Sequence, residues 1–252
     1  MVGGGASGIG RATGEALAGQ GMRVVLMGRS ADTLGHAVLG LSGMAEEKPA
    51  YVVHDVADAE AAPGLIDRVE ADYGSLDVLV LNAGGPPPGR VLDVTDDQWR
   101  TSFDLLLLGP LALARAVLPR MAARGFGRIV LVTSNAVRQP QPDLAISVAL
   151  RAAATAAAKL AAREYADQGV TVNCVAPGPT ATERRREILT RRAQRLGTTY
   201  ADEQAQDVAT VPAGRAGQPH EIAAAVAFLA TRDAGFVNGT VLTVDGGRTE
   251  TI

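Results

Sequence analysis

The chain has 252 residues, 47% hydrophobic and 20% charged, with a formal net charge of −3. That balance is ordinary for a globular fold and speaks against nucleic acid or an anionic membrane as the main partner. Only 4% of the residues are aromatic, so the core must be built from Ala, Val, Leu and Ile; the sole cysteine, Cys174, allows no intrachain disulfide.

In chain order, "GGGASGIG" at 3–10 runs into an amphipathic helix expected over 8–20, followed by a strand, "RVVLM", at 23–27. Strands are then expected at 50–56, 76–81, 128–133, 170–175 and 240–245, with helices over 59–73, 96–122, 145–168 and 219–231. The strands are nearly all apolar, as parallel strands covered on both faces should be. This alternation predicts an α/β fold, one doubly wound parallel sheet in a single domain over 1–252. The polar stretch 179–216, rich in Arg, Glu and Thr, interrupts the rhythm and is read as a substrate flap. The longest apolar run, near 105–114, is short for a bilayer, and glycines rather than a charged n-region open the chain. With one cysteine, a reducing, cytoplasmic location is expected.

A glycine run opening a helix lets backbone approach a pyrophosphate, which the helix N-terminus then stabilises. The second strand of such a unit usually ends in an acid that binds the ribose 2′-hydroxyl. Here it ends in Gly28, Arg29 and Ser30. A guanidinium there suits a 2′-phosphate and favours NADP(H) over NAD(H). Only Met1 and Val2 precede the first glycine, so the first strand reads as truncated, and the expectation is that the true start lies upstream.

These residues and several later motifs resemble the short-chain dehydrogenase/reductase family along essentially the full chain, which implies a Rossmann-like domain. The family's Thr-Gly-x-x-x-Gly-Ile-Gly loop matches 3–10 with glycine for threonine, placing Gly4, Ser7, Gly8, Ile9 and Gly10 at the cofactor. "HDV" implies Asp55 and Val56 at the adenine. "LNAG" matches Asn-Asn-Ala-Gly with leucine first and implies Asn82, Ala83 and Gly84 at the cofactor. "APGPTAT" matches the loop that holds the nicotinamide, implying Pro177, Gly178 and Thr180. "GRAGQPHEIAAAVAFLA" and "FVNGTVLTVDGG" match the family's C-terminal helix and last strand. "NAGGPPPG" further resembles the bacterial 3-oxoacyl-carrier-protein-reductase-like subgroup, which implies a small or acyl-carrier-bound carbonyl substrate. A homodimer or homotetramer through the helices near 96–122 and 145–168 is also implied.

The resemblance breaks at the family's catalytic Asn, Ser, Tyr and Lys. Ser134 matches the serine, but Ser147 stands at the tyrosine position, Arg151 at the lysine and Leu106 at the asparagine. A phenol's reference pKa of about 10, lowered by lysine, suits protonation of an alkoxide. Ser147 is a far weaker acid, and Arg151 keeps its proton throughout, although it can still hold the nicotinamide ribose. Losing a positioned general acid costs roughly 10²- to 10⁴-fold in rate. The bland alternatives are a helix N-cap for Ser147 and a cofactor or surface contact for Arg151. Asn135 and Arg138 read as loop-structural, and His54 and His220 lack the spacing of a metal site. Tyr165 and Tyr200 are not at catalytic spacing, and the arginine run 183–195 reads as a solvated helix face before an anion site. Three functions stay open: a redox enzyme with an atypical proton donor, a non-redox dehydratase, isomerase or cyclase, and an inactive cofactor-binding or oligomer partner.

Overall fold

The structure, a computed structural model, describes residues 1–43 and 45–251. Its strands are β1 (Val2–Gly3), β2 (Val25–Gly28), β3 (Ala50–Val53), β4 (Val78–Leu81), β5 (Gly127–Val132), β6 (Val170–Pro177) and β7 (Val241–Val244). The helices are α1 (Gly8–Ala18), α2 (Ala31–Leu41), α3 (Ala62–Tyr73), α4 (Asp96–Phe103), α5 (Gly109–Ala123), α6 (Ala145–Glu164), α7 (Glu183–Leu196), α8 (Tyr200–Ala209) and α9 (Pro219–Leu229). All seven strands lie parallel in one sheet ordered β3-β2-β1-β4-β5-β6-β7. The expected single α/β domain is the one observed.

Alternate strand residues face opposite sides of the sheet, so each side has its own core. On one side Leu79, Leu81, Ile129, Leu131, Val172 and Cys174 meet Leu65 and Ile66 of α3, Leu113 and Val117 of α5, and Ala154 and Ala158 of α6. On the other, Val80, Val130, Val132 and Val175 meet Leu17 of α1, Leu34 and Leu41 of α2, and Ile222, Val226 and Leu229 of α9. Each fully buried Leu or Ile contributes about 1.5–3 kcal/mol. By length and composition α6 and the run 96–123 could cross a membrane. Their buried faces, with Leu113, Val117 and Ala154, pack into this core.

The strand order reverses between β1 and β4, which opens a crevice above the carboxyl ends of these two strands. The central strand is a two-residue stub: Val2 pairs with Leu26 and Val80, and Gly3 with Met27. Three elements differ from the sequence expectation. Helix α2 was not anticipated, because Gly35 and Gly40 interrupt its apolar pattern. Its start is set by Ser30, whose hydroxyl accepts from the Thr33 N–H at 3.4 Å. The segment 179–216, expected as a substrate flap with a helix face over 183–195, carries α7 there and a further helix, α8, each N-capped by a threonine, Thr182 and Thr199. The helix expected over 96–122 is divided by a π-helical turn at Asp104–Leu108, where the Gly109 N–H reaches the Asp104 carbonyl. Pro110 has no N–H to offer the Leu106 carbonyl four residues back, so the α-ladder cannot run through this point.

Helices α3 and α5 are tied beside β4 by Glu70. Its carboxylate accepts from Arg120 at 2.9 Å, Arg124 at 3.1 Å and the Leu76 N–H at 3.1 Å. Burial alone would raise its pKa, but these donors outweigh burial and hold it below its ordinary 4.5. A depressed carboxylate adds stability above its unfolded pKa and loses that stability as pH falls through the folded value. Urea unfolding of wild type is therefore expected to weaken below pH 4.5, and Glu70→Gln to be less stable at neutral pH with a shallower acid slope over that window.

Candidate active site

The chain leaves β1 through a turn that only glycines can make at this spacing. Gly4 has φ +58°, a left-handed conformation that disfavours a side chain. A Cβ on Gly10 would lie 2.2 Å from the Gly4 carbonyl, so the first turn of α1 packs directly on the loop before it. Asn82, just past β4, donates from Nδ2 to the Gly3 carbonyl at 3.1 Å and fixes the loop from the other side. Ser7 occupies the cap position of α1 but makes no side-chain cap bond, so the helix N-terminus is open toward the crevice.

The crevice is a continuous cleft of about 980 Å³. One end is lined by Gly4, Ser7, Gly8 and Ile9 with Arg29, Ser30, Asp55 and Val56, and the middle by Asn82, Ala83 and Gly84. Ser134, Ser147 and Arg151 line it further on, with Pro177, Gly178 and Thr180 beside them. Gly10 alone of the expected cofactor residues does not line the cleft; it supports the loop from behind. Arg29 is exposed and has no ion-pair partner among the described residues. The buried Thr180 hydroxyl donates to the Gly178 carbonyl at 3.0 Å, which shapes the loop after β6.

Ser134 begins a short 3₁₀ turn, its hydroxyl accepting from the Ala136 N–H at 3.1 Å. Leu144, not Ser147, holds the cap position of α6, so Ser147 lies in the first helical turn and is half-buried. One turn on, Arg151 donates from Nη1 to the Val132 carbonyl at 2.7 Å. Burial, with the charge of Arg184 adding, pushes the Arg151 guanidinium down to about 10, still protonated at neutral pH. Leu106 is buried against Ile146 and Leu150, a wholly apolar contact. Among the described residues no Tyr, Lys or Cys lines the cleft. Asn135 lines the cleft but donates from Nδ2 to Asp245 at 3.3 Å, and Arg138 donates to the Val241 carbonyl at 3.3 Å, both loop-building contacts.

Helix α7 closes the cleft from above. Its cap residue Thr182 sits against Gly8, where an added Cβ would be 3.3 Å from the threonine methyl. Arg184 donates to the Pro86 carbonyl on the loop after β4. Arg192 and Arg195 reach Asp143 at 3.6 and 2.7 Å, and Arg185 meets the buried Asp207 at 2.9 Å, which also contacts Arg248 at 3.4 Å. The arginine run is thus only partly a solvated face: Arg184, Arg185 and Arg192 line the cleft, whereas Arg186 and Arg191 are exposed. The sequence expectation of a flap over 179–216, with an anion site weighed below a solvated face for 183–195, leaves open which arginines turn inward; those are Arg184, Arg185 and Arg192.

The family profile described as "Enoyl-(Acyl carrier protein) reductase" matches residues 4–249. A 3-oxoacyl-acyl-carrier-protein reductase from Haemophilus influenzae is 35% identical over 248 residues, covering 98% of this chain and 96% of that protein. The cis-4-hydroxycyclohexanecarboxylate dehydrogenase of Sinomonas cyclohexanicum is 36% identical over 252 residues, covering 99% and 95%. Among solved structures, the L-sorbose reductase of Gluconobacter frateurii complexed with NADPH and L-sorbose superposes with a TM-score of 0.92 at 29% identity, covering 100% and 96%.

The loop geometry carries its own test. Gly10→Ala places a methyl group against the Gly4 carbonyl and is expected to cost about 1–3 kcal/mol by overpacking. The urea midpoint measures this, with Gly43→Ala, where an added Cβ meets nothing within 4 Å, as the neutral control.

Proposed function

Because this chain belongs to the short-chain dehydrogenase/reductase family, we propose that it is an NADP(H)-dependent oxidoreductase acting on a carbonyl/alcohol pair, with an atypical source for the proton. The single observation that carries this reading is the unbroken cleft from the glycine turn past the unpaired Arg29 to Ser134. The residues present fit a dinucleotide: a side-chain-free turn, an open helix N-terminus and a free guanidinium stand in sequence along one wall. Ser7, Gly8 and Ile9 hold the diphosphate at the start of α1. Arg29 takes the 2′-phosphate, while Asp55 and Val56 flank the adenine. Asn82, Ala83 and Gly84 face Pro177, Gly178 and Thr180 across the nicotinamide end, and Arg151 stands beside its ribose. When bound, the cofactor supplies or accepts the hydride.

Ser134 and Ser147 then hydrogen-bond the substrate oxygen. Neither is a competent acid near neutral pH, and Arg151 keeps its proton, so water or a substrate group supplies the proton lost with the family's phenol. A second reading, non-redox work with the cofactor bound but unspent, is favoured by one observation: no Tyr, Lys or Cys among the described residues lines the cleft. The intact cofactor wall supports either reading over an inactive partner. A small or acyl-carrier-bound carbonyl compound is the proposed substrate. The buried single Cys174 suits a reducing cytoplasm, and a homodimer or homotetramer is the proposed assembly.

Two measurements test this reading. Fluorescence titration is expected to show NADPH binding at least about tenfold tighter than NADH, with Arg29→Ala erasing most of that ratio. No saturable signal with either nucleotide would remove both readings. Rebuilding the family's acid by Leu106→Asn, Ser147→Tyr and Arg151→Lys together is expected to speed ketone reduction at 340 nm by roughly 10²-fold or more. An unchanged rate would show that the proton donor is not what limits this protein.

A further inference from the structure

The charges around the cleft do not balance, and the imbalance is local. Six arginines line it, Arg29, Arg151, Arg184, Arg185, Arg192 and Arg248, against three acids, Asp55, Glu183 and Asp207. Asp207 neutralises Arg185 and Arg248, and Arg192 lies 3.6 Å from Asp143 and 3.9 Å from Glu203. Glu183 is occupied by Arg186 at 2.7 Å. Arg29 stands at the far end, where the 2′-phosphate is proposed. What remains is a pair at the reaction end. Arg151 has no carboxylate partner among the described residues, and its one hydrogen bond goes to a backbone carbonyl. Arg184 touches only the Pro86 carbonyl and, at 3.4 Å, the half-exposed Glu187.

Two guanidiniums that face one partly desolvated cleft without a carboxylate between them repel one another, and each is destabilised by burial. Burial lowers the pKa of both, and Arg184 lowers that of Arg151 further. Such a pair is relieved by an anion between them, and the planar fork of arginine matches the planar carboxylate. The walls beside the pair are apolar: Pro87, Leu105, Leu144, Ile188 and Leu189. That lining suits an organic body attached to the anion more than inorganic phosphate. The cofactor's diphosphate has its own seat at the start of α1. Arg184 instead covers Gly85, where an added Cβ would be 2.6 Å from its Nε.

We propose that Arg184, together with Arg151, forms a carboxylate-binding subsite, so that the substrate is a small oxo or hydroxy acid whose carboxylate lies near the reacting carbon. This rests on the oxidoreductase reading for what happens at that carbon, but the anion site stands on its own residues. Arg151 takes the place of a residue that would offer a single ammonium, and a bidentate donor there binds an anion it cannot protonate. Helix α7 supplies the second half of the clamp, which gives its charged run a task beyond solubility.

The test is isothermal titration calorimetry on the full chain, with NADP⁺ titrated first and then a panel of short straight-chain and cyclic hydroxy acids. Each acid is paired with its methyl ester, inorganic phosphate is a further probe, and the panel is repeated without NADP⁺. The tightest acid is expected to bind at least about tenfold better than its ester. Arg184→Gln should bring that ratio close to one, and Arg184→Lys should restore part of it, with circular dichroism confirming that both variants fold. Acids and esters of equal affinity in wild type, or an acid preference unchanged in Arg184→Gln, would overturn the subsite. So would inorganic phosphate binding more tightly than every acid, or an Arg184→Gln defect confined to NADP⁺ binding. Absent NADP⁺ heat with the acid preference intact would instead sink the cofactor reading and leave the anion site standing.

Discussion

The close approach of backbone to backbone at the switch point between β1 and β4 is the constraint on which the rest of this structure depends. Gly3 lies against Asn82, Gly4 turns with a positive φ, and the first turn of α1 lands on the Gly4 carbonyl through Gly10. Side chains at these positions would push α1 away from β4 and fill the crevice. With glycines there, the sheet's reversal becomes a cleft whose wall is backbone N–H and whose open helix end favours negative charge. The Asn82 side chain locks this arrangement at 3.1 Å from the Gly3 carbonyl. Strand ends of the same sheet place Arg29 after β2, Asp55 after β3, Ser134 after β5 and Thr180 after β6, while Ser147 and Arg151 come from α6.

Positive charge then decides what the cleft is for. Buried guanidiniums are costly unless they are paired or hydrogen-bonded: Arg185 and Arg192 along the cleft meet Asp207 and Asp143, and the buried Arg128 donates to backbone carbonyls. Along the cleft, Arg29 and Arg151 have no carboxylate partner among the described residues, and Arg184 has only the half-exposed Glu187. In the same region no Tyr, Lys or Cys among the described residues lines the cleft, and the groups present hold charge or fill space. Arg151 fixes a cation, Ser147 offers a hydroxyl of short reach, and Leu106 joins an apolar cluster with Ile146 and Leu150. The π-helical turn surrounds Leu106, and Pro110, which lacks an N–H, cannot close the α-ladder onto the Leu106 carbonyl.

The sheet was legible in the sequence because both of its faces are buried, which leaves β-branched runs such as "RIVLVT" with no polar interruption. The glycine turn and the strand-end residues were legible for a related reason: each has a steric or charge role that few residue types can fill. Helix α2 was not, since Gly35 and Gly40 sit within it and its start depends on a single serine cap. Helices α7 and α8 were read as a polar flap, because a helix lying over a cleft buries little. In α7 only Leu189 and Ala193 are fully buried. For that reason the placing of Arg184 and Arg151 along one cleft is not legible from spacing: they lie on two helices far apart in the chain. Ser147 reads as a cap in the sequence and instead lies within the first turn of α6, a shift that depends on where the loop after Ser134 releases the chain.

The central claim is that hydride chemistry survives in a cleft stripped of its phenolic acid. The direct measurement is mass spectrometry of product formed in a single turnover with NADPH deuterated at C4 of the nicotinamide ring. Deuterium bonded to carbon in the product is expected, with one equivalent of cofactor oxidised. Product that forms without deuterium, beside unchanged NADPH, would contradict it.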